Sequence, residues 1–250
     1  MNNLVSIITP SYNSKRFIKE TIDSVLNQTY QNWEMIIVDD KSKDDSVEYI
    51  KSLIQNESRI KLIALENNVG AAMARNKALE FATGRYIAFL DSDDIWLSNK
   101  LDTQLKFMQD NDYAFTFSSY IPFSEDGLIE YRIINVPKEL DYSQYCKNTI
   151  IGCLTVIIDK KKVGDFRMPN IRSSHDMALW LLILKRGFKA YGLNEVLAKY
   201  RLVSTSNTAK KSKAAKEVWD VYRKVEQLSI MKSSWYFVNY VYNALKKRKQ

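Results

Sequence analysis

Short apolar segments alternate with helix-like segments through residues 4–90, and this alternation constrains the fold more than any other feature of the chain. The apolar runs predict strands at residues 4–9, 33–39, 60–65 and 86–90, and apolar residues at helical spacing predict helices at residues 15–27, 46–54 and 71–81. Strands that alternate with helices form a parallel sheet covered on both faces. The sequence therefore predicts an α/β fold whose ligand site lies beyond the carboxyl ends of the strands.

Less regular patterns follow in the second half of the chain. They predict helices at residues 100–109 and 176–185, strands at residues 113–120, 155–159 and 197–202, and amphipathic helices at residues 213–231 and 234–247. With 46% hydrophobic residues, the 250-residue chain has enough apolar material for one large domain with an appendage. We expect a mostly parallel mixed sheet flanked by helices, followed by a C-terminal helical appendage.

The positive charge of the chain is concentrated at its C-terminal end. Residues 207–250 contain eleven Lys and Arg against three Asp and Glu, so they carry the whole formal net charge of +8. The first 206 residues are neutral, whereas a nucleic-acid-binding domain is basic over its binding face. We predict a folded domain over residues 1–206, a basic amphipathic helical tail over residues 207–250, and no nucleic-acid partner.

An acidic turn, Asp91-Ser92-Asp93-Asp94, directly follows the fourth predicted strand. Carboxylates gathered at the end of a buried strand repel one another and are costly to desolvate unless a cation balances them. Oxygen ligands of this kind suit Mg²⁺ or Mn²⁺, which are usually shared with substrate phosphates. From the turn alone, a solvated acidic segment that caps the next helix stays open as a second interpretation.

Two further polar clusters follow the first and second predicted strands. Pro10, Tyr12 and Asn13 can offer an aromatic face and an amide to a nucleotide base, and Asp39 can accept hydrogen bonds from a base or ribose. Such residues are also ordinary in turns. The chain contains neither G-x-G-x-x-G nor a Gly-Lys-Ser/Thr loop, so it lacks the backbone cradles of dinucleotide-binding and P-loop folds.

Five motifs occur in a fixed order along the first part of the chain. They are S-x-N at 11–13, S-V-L-N-Q-T-Y at 24–30, V-D-D-x-S-x-D at 38–44, N-x-G-x-x-x-A-R-N at 68–76 and G-x-Y-I-A-F-L-D-S-D-D at 84–94. This run closely resembles the family 2 glycosyltransferases. The resemblance implies a GT-A fold, a nucleotide-diphosphate sugar donor, and a divalent metal, Mn²⁺ or Mg²⁺, at the D-x-D motif.

The resemblance also assigns ligand-binding roles to residues of this sequence. Pro10, Tyr12 and Asp39 hold the base, and Arg75 lies in the segment that approaches the nucleotide. Asp91 lies near the ribose and the metal, Asp93 ligates the metal, and Ser92 between them is expected to contact the substrate. Asn13 lies in the same first-strand loop as Pro10 and is expected to contact the substrate with it.

The family's catalytic base is an acidic residue, usually the second of a Glu-Asp pair that opens a helix. The matching segment here is Ser173-Ser174-His175-Asp176, so the resemblance assigns the base to Asp176. His175 stands where Glu is commoner, and we expect it to contact the acceptor. One base and one displacement invert the anomeric centre, and such general-base help is worth about 10²–10⁴-fold in rate. A helix-capping Asp176 is the other interpretation.

A Tyr-Arg segment follows the last predicted strand, at Tyr200 and Arg201, and precedes Ser204 and Ser206. It is similar to a Tyr-Arg…Ser-x-Ser segment near the end of the catalytic domain in many bacterial polysaccharide members of the family. Arg201 at this place can bind a diphosphate bidentately, and a surface Arg in a loop is the alternative. The Gln-x-x-Arg-Trp segment of processive synthases is missing, so we expect one sugar per encounter.

The last predicted helix combines aromatic residues with a basic end. Residues 235–245 are mostly aromatic or aliphatic, and residues 246–249 read Lys-Lys-Arg-Lys. This combination favours an anionic membrane surface, where each basic residue contributes about 1 kcal/mol; a helix packed on the domain is the alternative. The sequence has no signal-peptide pattern and no apolar stretch of roughly 18 residues. We expect a cytoplasmic protein, peripheral at the inner face of the cytoplasmic membrane.

The sequence therefore predicts an inverting, metal-dependent glycosyltransferase. It would transfer one sugar from a nucleotide-diphosphate sugar, most simply a UDP-sugar, to a glycan or lipid-linked acceptor of a bacterial surface polysaccharide such as a capsule, O-antigen or teichuronic-type polymer. One alternative is a sugar-phosphate nucleotidyltransferase, which usually carries a Gly-rich loop with a basic residue after the first strand. A second is a non-enzymatic, basic nucleic-acid-binding protein, which the neutral first 206 residues disfavour.

Overall fold

The computed structural model describes residues 3–203 and 211–249, and within these residues nine strands form one sheet. The strands are β1 (Val5–Ser11), β2 (Trp33–Asp39), β3 (Ile60–Ala64), β4 (Tyr86–Phe89), β5 (Ile95–Trp96), β6 (Phe115–Ser124), β7 (Glu139–Leu140), β8 (Ile157–Asp159) and β9 (Ala190–Leu202). The four strands predicted from residues 4–90 are all present, and their ends lie within two residues of prediction, with β2 matching at both ends. Strands β1, β2 and β4 are continuous buried runs, whereas β3 alternates between buried or half-buried and exposed residues.

Helices lie on both faces of the sheet. They are α1 (Ile18–Leu26), α2 (Ser46–Ile54), α3 (Ala71–Phe81), α4 (Lys100–Asp110), α5 (Tyr142–Lys147), α6 (Lys160–Val163), α7 (His175–Lys185), α8 (Lys211–Asp220) and α9 (Ile230–Lys249). A 3₁₀ turn at Cys153–Thr155 precedes β8, and a π-helical turn at Val221–Val225 follows α8. Helix α1 begins three residues later than predicted because residues 14–17 form a turn closed by the Ser14 carbonyl.

The strand order is β3-β2-β1-β4-β8-β6-β9-β5, and β7 pairs with β9. The first four strands in this order are parallel, with Ser11 opposite Asp39 and Ile8 opposite Phe89. Their carboxyl ends therefore meet at one edge of the sheet. The first-strand loop, the loop after Asp39 and the acidic turn all begin at that edge.

Antiparallel pairing begins at β8, which lies between β4 and β6 and runs opposite to both. Strand β9 starts at Ala190, seven residues before the predicted start, and pairs in parallel with β6. A Cβ at Gly192 would lie 2.0 Å from the Pro137 carbonyl oxygen, so only glycine fits where β9 passes this backbone. Exposed Asn194 and Glu195 interrupt the apolar pattern there, which is why the sequence under-predicted the strand.

Alternating side chains of the parallel strands fill one core on each face of the sheet. Ile7 and Met35 belong to the core covered by α1, α2 and α4, whereas Ile8 and Ile36 belong to the core covered by α3, α5 and α7. Helix α7 is apolar on all sides because it is buried, and its Trp180 has no exposed surface. This rigid packing fixes the position of the α7 N-terminus.

The C-terminal helices pack on this second core. Val218, Val221 and Tyr222 are buried in the same cluster as Trp180, and aromatic residues of α9 lie against it. The helix predicted over residues 213–231 is interrupted, since Gln227 has a φ of +52° and left-handed backbone ends a helix. The division at residue 206 stays a prediction because residues 204–210 lie outside the described part of the chain. No helix in the described ranges is long and apolar enough to cross a membrane.

Candidate active site

The acidic turn lies between β4 and β5 and borders a cavity of about 580 Å³, which we call the central cavity. Asp91, Asp93 and Asp94 line this cavity, whereas Ser92 does not. The backbone N–H of Asp94 donates to the Asp91 carbonyl at 3.1 Å and closes the turn. The turn does not cap α4, whose N-cap is Asn99, so the capping interpretation is not supported.

Burial and mutual repulsion make these carboxyls costly to ionise. The pKa of Asp93 is raised to about 6, first by burial and then by the Asp91 charge. Burial and the charges of Asp93 and Asp91 raise the pKa of Asp94 well above its usual range. Asp94 Oδ1 accepts a hydrogen bond from the Arg201 backbone N–H at 2.8 Å, while Oδ2 has no partner among the described residues. A cation at this turn would relieve the repulsion.

The donor set of the turn fits a divalent cation that is shared with a substrate. Within the described ranges, no group of three or more His, Cys, Asp or Glu side chains is arranged to hold a metal by itself. Mg²⁺ needs only one or two carboxylates when substrate phosphates and water complete its coordination. Asp93 forms no ion pair with any described residue, and Asp91 lies beside it in the cavity wall. These two residues therefore fit Mg²⁺ or Mn²⁺ bound together with a diphosphate.

Arg75 on α3 joins the acidic turn to the start of α7. Its buried guanidinium forms an ion pair with Asp91 through Nη2, and its Nη1 contacts Nε2 of His175 at 2.5 Å. Burial alone would lower the pKa of Arg75, but the Asp91 carboxylate and other acidic neighbours raise it above its ordinary value. Arg75 is thus a fixed cation that holds two walls of the cavity together.

Helix α7 begins at the central cavity with His175 and Asp176, which both line it. Burial, and then the Arg75 charge, lower the pKa of His175. Arg75 can only donate, so the His175 Nε2 atom that faces it is an acceptor and the ring is neutral. The carboxylate of Asp176 forms no hydrogen bond or ion pair with the described residues.

Asp176 does not cap α7. The N-cap is Ser174, which has left-handed backbone with a φ of +56° and makes no side-chain capping bond. Asp176 lies in the first helical turn, where the helix dipole favours a negative charge. Its carboxylate is therefore available to accept a proton from a ligand in the cavity.

Asp39 is fully buried at the carboxyl end of β2. Its Oδ1 accepts a hydrogen bond from the Ser42 backbone N–H at 2.8 Å, and its Oδ2 accepts one from Ser11 Oγ at 3.3 Å. The neighbouring Asp40 carboxylate accepts the backbone N–H groups of Val69 and Gly70, just before α3. The β2 end therefore fixes both the first-strand loop and the helix that carries Arg75.

The first-strand loop lies against the loop that follows β2. Asn13 has left-handed backbone with a φ of +50°, and its Oδ1 accepts the Lys43 backbone N–H at 2.8 Å. Tyr12 is 45% exposed, and Pro10 is buried within β1. Neither these three residues nor Asp39 lines the central cavity. The structure places them together on the same sheet edge, beside the cavity.

Arg201 does not line the central cavity, although Tyr200 and Leu202 do. Its guanidinium is buried between the rings of Phe17 and Phe123, at 4.6 and 4.4 Å from the ring centroids. Its Nε, Nη1 and Nη2 donate respectively to the Asp93 carbonyl, to the Glu125 carbonyl and to the Glu20 carboxylate. In this arrangement Arg201 supports the backbone of the acidic turn, and its donors are not directed at a diphosphate.

Part of the cavity wall comes from segments in which the sequence shows no motif. Tyr145, Thr149 and Cys153 lie between residues 120 and 171, while Glu217 and Tyr240 belong to the predicted tail. Only the apolar spacing of the tail helices hinted that they pack on the domain and reach the cavity.

The sequence profile described as "Glycosyl transferase family 2" matches residues 6–167. The "Putative teichuronic acid biosynthesis glycosyltransferase TuaG" of Bacillus subtilis is 52% identical over 98% of this chain and 97% of that protein. The chain belongs to glycosyl transferase family 2. This membership confirms the resemblance seen in the motifs, and it favours a family 2 glycosyltransferase over the nucleotidyltransferase and nucleic-acid-binding alternatives.

Another relative of this family 2 chain is the Escherichia coli "UDP-Glc:alpha-D-GlcNAc-diphosphoundecaprenol beta-1,3-glucosyltransferase WfgD", 40% identical over 98% of the chain and 94% of that protein. Among solved structures, S. aureus TarS 1-349 in complex with UDP-GlcNAc gives a TM-score of 0.72 at 19% identity, covering 95% of this chain and 71% of that one. Mannosyltransferase PcManGT from Pyrobaculum calidifontis, in complex with GDP-Man and Mn2+, gives 0.70 at 15% identity, covering 99% and 75%. These structural likenesses concern the fold alone, and they confirm the expected GT-A fold.

Proposed function

We propose that this family 2 glycosyltransferase is an inverting, metal-dependent enzyme. It transfers one sugar from a UDP-sugar to a lipid-linked acceptor in the synthesis of a bacterial surface polysaccharide. The observation that carries the proposal is the position of Asp176, whose carboxylate has no partner among the described residues and lines the same cavity as Asp91 and Asp93. A proton acceptor and metal-binding carboxylates in one cavity are the groups that direct displacement at an anomeric carbon needs.

Asp93, with Asp91 beside it, holds the divalent cation in this proposal. The chemistry supplied by such a cation is neutralisation of the charge on the departing nucleoside diphosphate. Arg75 holds Asp91 in place through its ion pair. Asp39 and Tyr12 lie at the carboxyl ends of neighbouring parallel strands, where nucleotides bind in open α/β sheets.

Asp176 accepts the proton of the acceptor hydroxyl as the hydroxyl oxygen attacks the anomeric carbon. The new bond to the acceptor oxygen forms while the bond to the diphosphate oxygen breaks on the opposite face, so the configuration inverts. His175 is neutral because Arg75 faces its Nε2, so it forms no ion pair that would occupy the Asp176 carboxylate. Donor and acceptor held in one cavity also avoid much of the entropic cost of bringing them together.

The names of the two relatives support the donor and acceptor classes. TuaG is named for teichuronic acid biosynthesis, and WfgD for transfer from UDP-Glc to a GlcNAc carried by diphosphoundecaprenol. Identities of 52% and 40% over nearly the whole chain make a related donor and acceptor the simplest inference for this protein. We therefore propose a UDP-sugar and an acceptor sugar on a polyprenyl diphosphate.

Helix α9 supports a peripheral position at the cytoplasmic face of the membrane. One side of the helix packs on the domain through Phe237 and Tyr240. The opposite side exposes an apolar row at helical spacing, formed by Met231, Trp235, Val238, Tyr242 and Leu245. The segment that contains this row carries the whole net charge of +8. An apolar row in a basic segment is complementary to an anionic bilayer, so the two alternatives for the tail, packing and surface binding, are compatible.

Vesicle pelleting tests the membrane proposal. The wild-type protein should pellet with vesicles rich in phosphatidylglycerol, and a variant with Trp235→Ser and Tyr242→Ser should remain largely in the supernatant. Phe81→Ser is the matched control, because Phe81 is an exposed apolar residue on α3, outside the row. Equal pelleting of all three proteins, or pelleting by phosphatidylcholine alone, would contradict the proposal.

A transfer assay tests the reaction. The protein is incubated with Mn²⁺, a panel of α-linked UDP-sugars and a synthetic alkyl diphosphate that carries α-GlcNAc. We expect release of UDP, a product one sugar longer with a β linkage by NMR, and loss of turnover with EDTA. An α-linked product would overturn the inverting mechanism. Pyrophosphate formed from UTP and a sugar 1-phosphate would favour the nucleotidyltransferase instead.

A further inference from the structure

A second cavity of about 260 Å³ lies next to the central cavity, between residues 171–173 and α8. We call it the side cavity. Arg172, Ser173 and Glu217 line both cavities, so these residues lie at the border between them. The acidic turn lines the central cavity but not the side cavity. A ligand in the side cavity would therefore lie away from the proposed metal site. Part of the wall around it, residues 171–173, comes just before Asp176 in the sequence.

The charged residues of the side cavity balance one another. Arg172 and Lys224 are cationic, whereas Glu217 and Asp220 are anionic, and Lys224 pairs with Asp220 at 3.0 Å. A phosphate-binding site carries net positive charge and donors that converge on the anion. A cavity wall with no net charge that contains both hydrogen-bond donors and acceptors suits a ligand with many hydroxyl groups, such as a sugar.

Glu217 has the free hydrogen-bonding capacity that such a ligand needs. Its side chain is 17% exposed, and its one ion pair within the described ranges, to Lys213, has an N–O distance of 3.9 Å, which is too long for a hydrogen bond. Arg172 has no hydrogen bond or ion pair with the described residues. Within the described part of the chain, the half-buried Glu217 carboxylate and the exposed Arg172 guanidinium therefore line the side cavity without a protein hydrogen-bond partner.

Helix α8 holds Glu217 firmly at this place. Val218, the next residue, is buried, and Val221, one turn further on, lies in the same core as Trp180 of α7. Because α7 also carries Asp176, the two carboxylates sit on elements that are packed against one core. Such support is what a specific binding site requires.

We infer that the side cavity, where it borders the central cavity, is a binding subsite for the acceptor sugar. Glu217, which lines both cavities, accepts hydrogen bonds from sugar hydroxyls and Arg172 donates to the ring substituents, while another hydroxyl of the same sugar reaches Asp176 in the central cavity. The inference rests on the proposed function, since it places the acceptor beside the proposed base. A volume of about 260 Å³ is below the usual range for drug-sized ligands and fits one small ring. Glu217 is then a specificity-determining residue of the reaction, supplied by the C-terminal segment.

Two compounds measured by calorimetry without any donor separate a sugar subsite from a phosphate site. They are an alkyl diphosphate that carries α-GlcNAc and the same alkyl diphosphate without the sugar. Glu217→Ala should weaken binding of the sugar-bearing compound by about ten-fold or more, because a hydrogen bond to a charged group is lost. It should leave binding of the bare diphosphate and of UDP unchanged. Equal weakening of both alkyl compounds, or no weakening of either, would overturn the subsite.

Lys213→Ala is the matched control, because it removes the distant ion-pair partner and leaves the Glu217 carboxylate in place. It should bind the sugar-bearing compound as the wild type does. Glu217→Gln, which keeps one carbonyl acceptor, should bind between the wild type and Glu217→Ala, and all variants should unfold at the wild-type temperature. In the transfer assay Glu217→Ala should raise KM for the acceptor with kcat little changed. A wild-type protein without transfer activity would instead sink the proposed function, whatever the calorimetry shows.

Discussion

Asp93 shows how one residue can report on the whole proposed metal site. Its carboxyl is buried next to Asp91, and its pKa is raised to about 6. A raised carboxyl pKa means that the native protein holds a proton between about pH 4 and pH 6 that the unfolded chain has lost. In the cation-free protein, this group therefore lowers the free energy of unfolding as the pH rises through that window. A divalent cation has the opposite preference, because it binds the ionised form.

We predict that Mn²⁺ binding in the presence of UDP weakens as the pH falls below 6. Once Asp93 is mostly protonated, each further pH unit should cost about ten-fold in affinity, because one proton competes with the metal. Asp93→Asn should bind Mn²⁺ poorly at every pH, and Ser92→Ala, which alters a residue outside the cavity lining, should behave as the wild type. Calorimetry at pH 5, 6 and 7.5 measures this. A wild-type affinity that does not change with pH would contradict the role of Asp93.

Arg201 shows why a residue's role cannot always be taken from a motif. The Tyr-Arg segment is recognisable in the sequence, yet the Arg201 side chain is buried between Phe17 and Phe123. This contact brings residues 17–20, Phe123 and Arg201 together, although they lie far apart in the sequence, and no local sequence pattern predicts it. The positions of Asp91 and Asp93 at the sheet edge were predictable because these residues directly follow a buried strand, whereas Asp176 was singled out by the family resemblance and by its place at the start of a helix.

The same contrast holds for the helices and strands. Strands β1 to β4 and helices α2 and α3 follow continuous or periodic apolar patterns, and the sequence predicts them closely. The start of β9 and the break at Gln227 depend on tertiary packing and on a left-handed backbone, which leave little trace in composition. In helix α4 the first residue, Lys100, is fully buried, which the apolar periodicity of the sequence does not predict.

Lys100, the first residue of α4, makes the free energy of unfolding of the protein depend on pH. Its Nζ donates to Gln104 Oε1 at 2.6 Å and lies 4.7 Å from the Trp96 ring, and burial lowers the pKa of Lys100 to about 7. Between pH 7 and about 10.4 the unfolded chain binds a proton that the native protein does not, so stability rises with pH in this window. Below pH 7 the buried Lys100 side chain is charged, so the native protein bears the full free-energy cost of burying that charge.

We predict that Lys100→Met raises the free energy of unfolding at pH 6, and that this gain shrinks as the pH rises toward 9.5. The change should approach about 1.4 kcal/mol per pH unit within the window, because one proton is involved. Urea denaturation at pH 6, 8 and 9.5 measures it. Lys106→Met, an exposed position of the same helix, is the control. A difference between Lys100→Met and the wild type that is constant across pH would refute the prediction.

At the scale of the whole molecule, the C-terminal helices pack on the domain and line its central cavity, although the charge pattern of the sequence divides them from it. Charge divides the chain at residue 206, but α8 supplies Glu217 and α9 supplies Tyr240 to the central cavity. The outer side of α9 carries the apolar row, so one segment borders both the proposed acceptor site and the proposed membrane surface. A lipid-linked acceptor would need both to lie close together.

We predict that the two sides of α9 differ in their effect on stability. Phe237 lies against Trp219, with ring centroids 5.4 Å apart, so Phe237→Ala should lower the free energy of unfolding by roughly 2 kcal/mol. Val238 is exposed, and Val238→Ala should change the free energy of unfolding by less than about 0.5 kcal/mol. Both variants should unfold in one transition with the domain. Equal effects, or a separate transition for the tail, would show that α9 is not packed as described.

The central claim is that Asp176 takes the acceptor's proton within the cavity that also holds the donor. Asp176→Asn keeps the size and place of the side chain and removes its basicity, so single-turnover transfer and calorimetric binding of UDP-sugar with Mn²⁺ should be measured side by side. We predict donor affinity within about two-fold of the wild type and transfer slowed by about 10²-fold or more. Transfer by Asp176→Asn at close to the wild-type rate would contradict the account.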